Sequence, residues 1–220
     1  MARTSAKERN TAVARALLER HGQTYAAQAG ITLRDTPSPL YRLLVLALLL
    51  SARIRADVAV ATSRALSGGG LRDARRMAAA SWQERVDLLG EGGYRRYDER
   101  TATQLGEGAE LLLREYGGDL RRLRERAGSG GVERALREVP GIGPVGAAIF
   151  LREAQEVWPR LRPYLDAKAL QGAGRLGLPE SPAQLARLVR EDELARLAAA
   201  LVRAALSAEV VAGVQDAADA

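Results

Sequence analysis

The residue types best suited to chemistry are gathered in LREVPGIGPVGAAIFLREAQEVWPRLRPYLD, over 136–166. Residues 133–139 form helix readily, and Pro140 ends that run because its ring cannot continue the i to i−4 ladder. Gly141 and Gly143 bracket Ile142, so the backbone there can take positive φ and approach a ligand with no Cβ in the way. Pro144 suits the first position of a helix, and Val145, Ala148, Ile149 and Arg152 follow at helical spacing. A second helix therefore starts directly on the glycine turn. Its unpaired N–H groups and the positive end of its dipole converge on a site for an anion such as a phosphate. An ordinary helical hairpin closed by Pro and Gly has the same pattern. Further on, a loop holding Pro159 and Pro163 leads to Asp166, which opens another helical run. Aspartate favours a helix N-cap by structure alone, and a fixed carboxylate can also stabilise developing positive charge. Spacing leaves both roles open.

These motifs together resemble the helix-hairpin-helix (HhH-GPD) DNA glycosylase superfamily, in its endonuclease III-like form. VPGIGPVGAA over 139–148 matches a hairpin of LPGVGxxTA type, and the prolines at 159 and 163 match the Gly/Pro-rich loop that follows it. Asp166 falls where the family's catalytic aspartate sits, and RLGLP over 175–179 matches the segment just after it. Upstream, TPSPLYRLLVLALLLSARIRAD over 36–57 is similar to the family's first long buried helix. YRRYDERTATQLGE over 94–107 resembles a segment that precedes another family helix. The matches span 39–179, most of the chain.

The resemblance implies an all-α, two-lobed fold with the active-site cleft between the lobes. Residues 1–35 and 180–220 would form one lobe. Residues 36–179 would form the other, with the hairpin at 133–154 and the Asp loop at 157–166. It implies a base-excision enzyme that hydrolyses the N-glycosidic bond of a damaged or mispaired base in duplex DNA. The base would leave the stack, and Asp166 would stabilise the oxocarbenium character of the sugar. Some family members carry a Schiff-base lysine four residues beyond the first glycine of the motif; here that position is Val145, so a glycosylase without lyase activity is implied. Gly141, Ile142, Gly143, Val145 and Gly146 would contact DNA. Arg53, in SARIR, stands where relatives place a gap-filling glutamine, as a wedge or a phosphate contact. Lys168 would contact phosphate and does not share a helical face with Asp166. Trp158, Tyr164 and Tyr97 would wall the base pocket, or serve as core or rim. The family's Thr-His after the aspartate is Ala167 and Lys168 here. That departure favours the alternative, a catalytically inactive DNA-binding protein.

Composition sets further bounds. The 220 residues suffice for a sizeable core, and 33 Lys plus Arg against 27 Asp plus Glu give +6, a balance that suits polyanions. Lysine occurs only at Lys7 and Lys168, so arginine carries the basic character. With no cysteine, disulfides, thiolate zinc and the Cys-ligated iron–sulfur cluster of some relatives are excluded. The single histidine, His21, cannot build a histidine metal cluster and reads as the end of a helix before Gly22. No cofactor or metal is expected, although hairpin carbonyls could hold a monovalent cation. The longest apolar run, 43–50, is too short for a bilayer. A soluble cytoplasmic monomer acting on nucleoid DNA is expected. A third class, a helical scaffold with a purely structural PGIG turn, would show DNA affinity that is flat with salt.

The patterning is helical throughout, with no useful strand alternation. Helices are expected over 4–21, from 36 through an apolar run ending at 50, then over 59–66, 71–80, 82–89, 97–116 and 118–126. Two more, over 181–191 and 192–207, would close the chain before a frayed tail at 218–220.

Overall fold

The computed structural model describes residues 6–128 and 130–219. In chain order, α1 is Ala6–His21, α2 Tyr25–Gln28, α3 Pro37–Ser51, α4 Ala56–Gly68, α5 Ala74–Ala79, α6 Trp82–Glu91 and α7 Asp98–Tyr116. Then come α8 Leu120–Ala127, α9 Val132–Leu136, α10 Pro144–Ala154, α11 Ala167–Arg175, α12 Pro182–Leu185, α13 Leu194–Leu206 and α14 Ala208–Asp219. Short 3-10 turns occupy Pro159–Leu161, Ala186–Leu188 and Glu191–Glu193. The all-α expectation is met, with no strand among the described residues. No single helix among them is long and apolar enough to cross a membrane.

Two compact units result, one of residues 26–151 and the other of residues up to Tyr25 with those from Arg152 onward. In the first, α3 is apolar nearly all round and is buried along its length, with Leu40, Leu43, Leu46 and Leu49 sealed from solvent. Such a helix belongs inside a core, and α4 and α8 pack on it. α7 lies against α5 and α6. Buried Arg85 closes that layer by donating to the carbonyls of Met77, Ala80 and Ala102, which satisfies both its charge and the open end of α5.

The terminal unit is built on α13, which packs against α11, α1 and α14. Leu17, Leu165, Ala169, Ala173, Leu197 and Leu201 share its core. α1 ends as expected at His21, with the Gly22 N–H returning to the Leu18 carbonyl at 2.9 Å. Burial first, then the positive charges of Arg203 and Arg20, hold the His21 imidazole below its ordinary pKa. The Arg203 guanidinium also stacks over Tyr25 at 4.4 Å and donates to the His21 carbonyl.

Several expectations change. The lobe boundaries do not fall at 35/36 and 179/180. The Asp loop and α11 group with the terminal helices, because Ala169 and Ala173 share a core with Leu197 and Leu201 of α13. The helix expected over 181–191 is one turn of α12 followed by 3-10 turns. α14 was not expected, yet Val214 is buried and Val210 and Val211 pack on the same core at helical spacing. Ala218 and Asp219 belong to it, while Ala220 of the expected tail, and residues 4 and 5 of the expected first helix, lie outside the described residues.

α11 and α13 approach so closely at Gly172 that an added Cβ would sit 1.9 Å from the Leu201 carbonyl oxygen. Gly172→Ala must therefore push the two helices apart. It should lower unfolding free energy by about 1–3 kcal/mol, read by chemical denaturation of the purified protein.

Candidate functional site

The hairpin lies in the unit of residues 26–151. α9 ends at Leu136, and the turn that follows is tied by Val139 N–H to Leu136 O at 3.1 Å and Ile142 N–H to Val139 O at 3.0 Å. Gly141 takes φ +85°, and a Cβ there would meet Leu48 Cδ1 at 2.7 Å, so glycine is required twice over. Gly143 differs. It does not adopt positive φ, and a Cβ on it would meet nothing within 4 Å. It is exposed, and its conformation does not require glycine.

Ile142, expected among the outward contacts, has its side chain buried at 4% exposure and its N–H consumed by the turn. It lines the same apolar cavity as Leu44, Leu48 and Leu105, and so anchors the hairpin. The N–H groups of Gly143, Val145 and Gly146 find no backbone acceptor among the described residues, as the first turn of α10 requires. Val145 is 61% exposed. A Cβ on Gly146 would stand 3.7 Å from Ser51 Cβ at the end of α3. Exposed Arg53 follows Ser51 two residues later.

The carboxylate loop lies in the terminal unit. Its organiser is Gln155, a fully buried side chain. The Gln155 amide donates to the Arg152 carbonyl at 2.7 Å and to the Tyr164 carbonyl at 2.9 Å, and its oxygen accepts from Tyr164 N–H at 3.0 Å. Arg162 then closes the loop on itself. Its Nε donates to the Gln155 carbonyl at 2.7 Å, its Nη2 to the Glu156 carbonyl at 2.6 Å, and its Nη1 pairs with Glu191 at 3.1 Å. The Arg162–Pro163 peptide is cis.

Asp166 sits at the end of this loop. Its Oδ1 accepts from Ala169 N–H at 3.1 Å, capping α11. Its Oδ2 lies 3.6 Å from Nε of Arg152, and the side chain is 16% exposed. Both the cap and a fixed, partly accessible carboxylate are thus present in one residue. Lys168 donates to Gln171 at 2.9 Å and is turned to that neighbour.

The three aromatic residues separate. Trp158 is 2% exposed and takes the core role that was one of its two expected readings, so it is not an open stacking wall; its backbone N–H donates to the Ala154 carbonyl at 2.7 Å. Tyr164 is half-buried, with its backbone in the Gln155 clamp. Tyr97, half-buried at the start of α7 in the other unit, carries Arg96 over its ring at 5.3 Å. Sequence reasoning missed Gln155 and Arg162 and read Arg152 only as part of a helical spacing. None of the three is a residue on which the motif matches rest. No group of three or more His, Asp or Glu residues placed to hold a metal occurs among the described residues.

No family model matches this chain, and no curated protein matches it. Among solved structures it is similar to that of a non-covalent endonuclease III–DNA complex, with TM-score 0.56 and 14% identity over 90% of this chain and 85% of that one. A trapped endonuclease III–DNA covalent intermediate, an estranged-adenine complex, matches with TM-score 0.49 and 15% identity over 84% and 83% of the two chains. The first likeness shows the fold class: the chain has an endonuclease III-like, helix-hairpin-helix fold.

The two hairpin glycines should separate cleanly on substitution. Gly141→Ala is expected to lose about 1–3 kcal/mol of stability from left-handed strain and the Leu48 contact. Gly143→Ala should melt with the unmodified protein. Equal melting of both variants in a thermal denaturation series would contradict the assignment.

Proposed function

We propose that this protein is a DNA base-excision glycosylase that hydrolyses the N-glycosidic bond of a damaged or mispaired base in duplex DNA, without strand-cleaving lyase chemistry. The observation that supports this most is Asp166. One of its oxygens is fixed by the α11 cap and the other lies 3.6 Å from Nε of Arg152, at the end of a loop pinned by Gln155. The endonuclease III-like fold and the motif carried by 139–166 agree with it.

The target base must leave the stack before a side chain can reach its sugar. As the C1′–N bond breaks, positive charge builds on the sugar ring, and a carboxylate held in place stabilises it without reorganising. Water then bonds to C1′; its proton leaves and the departing base nitrogen takes up a proton. Asp166 suits the charge-stabilising role and can orient that water. The N–H groups of exposed Gly143 and Val145, with that of Gly146 behind them, have no backbone acceptor and suit a backbone phosphate at the helix start, with Arg53 and Lys168 as further phosphate contacts. Tyr164 and Tyr97 remain candidates for stacking. Val145 offers no amine, so no Schiff base forms there. No cofactor is invoked, and a monovalent cation at the hairpin carbonyls is compatible with this reading. A monomer acting on DNA in the cytoplasm fits it as well.

A second reading, a helix-hairpin-helix DNA-binding protein without catalysis, is favoured by one observation: both oxygens of Asp166 already have neighbours in the folded chain. The two readings part on one experiment. A panel of duplexes with alkylated, oxidised, deaminated or mispaired bases is assayed for free base, with Asp166→Asn alongside. The glycosylase reading expects base release from at least one duplex, a loss of about 100-fold or more in Asp166→Asn, retained duplex binding, and no borohydride-trapped covalent complex. Binding of every duplex with no base released from any would establish the second reading.

A further inference from the structure

The outer end of α10 holds a charge that the motifs do not account for. Arg152 lies in the last turn of that helix and is 7% exposed. A guanidinium taken out of water is costly unless it is paired. Yet its buried Nε–H has no hydrogen-bond acceptor. What Nε faces is Asp166 Oδ2, 3.6 Å away. That is within ion-pair reach and beyond an N–H···O bond.

We propose that Arg152 is the positioning residue of Asp166, an inference that rests on the glycosylase reading above. The cap fixes Oδ1 on the Ala169 N–H. With one oxygen tied, attraction to the arginine sets the direction of the other. Because the gap exceeds hydrogen-bond length, Oδ2 is oriented without surrendering a lone pair, and it stays available to the sugar or to water. Arg152 also ties the loop at both ends: its carbonyl accepts from Gln155, which clamps Tyr164, while its side chain faces Asp166 two residues on. A residue that acts in this way affects the chemical step and leaves binding alone. A misplacement of about 1 Å in a reacting group can lower a rate on the order of 100-fold.

The experiment uses the full chain and two variants, Arg152→Met, which keeps bulk and loses charge, and Arg152→Lys, which keeps charge. Three quantities are read on a duplex that the unmodified protein excises: single-turnover base release, duplex Kd, and hydrogen exchange at the Ala169 amide. Arg152→Met should release base roughly 10- to 100-fold more slowly, with Kd unchanged and the Ala169 amide exchanging faster. Arg152→Lys should recover part of the rate and the protection. An unchanged rate in Arg152→Met overturns the proposal. So does a rate in Arg152→Lys as low as in Arg152→Met, accompanied by matching losses in Kd and melting temperature, because that marks a purely structural arginine. If Arg152→Met does not fold, Arg152→Lys carries the test, and unchanged rate and exchange relative to a charge-free Arg152→Gln overturn the assignment. If the unmodified protein excises no base from any duplex, the glycosylase reading fails, and the Ala169 amide alone decides whether Arg152 orients Asp166.

Discussion

One buried side-chain amide holds the functional loop in place. The segment between α10 and α11 contains two prolines without N–H groups, and the 3-10 turn over Pro159–Leu161 is its only regular element among the described residues. Gln155 supplies the missing partner. Its amide presents one acceptor and two donors, which meet Tyr164 N–H, Tyr164 C=O and Arg152 C=O. Burying such a group is tolerable only when its bonds are made, and leaving one unmade costs about 1–3 kcal/mol. The loop and the amide are therefore mutually dependent. Arg162 adds three further ties, and Asp166 emerges from the clamp already aligned to cap α11.

The hairpin is held by different physics. Its position depends on apolar seating, with Ile142 inserted beside Leu44 and Leu48 and Gly141 admitted closely enough that a methyl group would collide with Leu48. That seating leaves Gly143 and Val145 exposed. Their backbone is presented at a helix start, where the dipole and unpaired N–H groups favour an anion. Conformational demand and ligand presentation thus fall on different glycines of one short motif.

Much of this was legible in the residues, and the exceptions have physical causes. α3 announces itself as a core helix because it is apolar nearly all round, and Pro140 with Gly141 marks the turn in any helical context. Asp166 as a cap follows from its type and place. Gln155 is illegible in sequence, since a glutamine after an apolar helical run looks like the start of a solvated face; two of its three bonds depend on the return of Tyr164 across nine residues. Trp158 is compatible in sequence with a pocket wall or with core, since an aromatic in a loop suits both, and its burial decides for core. The division into units was hidden because it falls within α10, a continuous helix from Pro144 to Ala154 whose apolar spacing does not change at Leu151. α14 was passed over for its small residues, although Val210 and Val214 carry the required spacing.

The dependence of the carboxylate on the buried amide is tested most directly by hydrogen exchange at the Tyr164 and Ala169 amides in Gln155→Leu, a substitution of similar volume with no hydrogen-bonding groups. Both amides should lose protection while the helical content by circular dichroism is retained. Protection of both amides equal to that of the unmodified protein would show that the loop and its aspartate hold their places without the clamp, and would contradict the account.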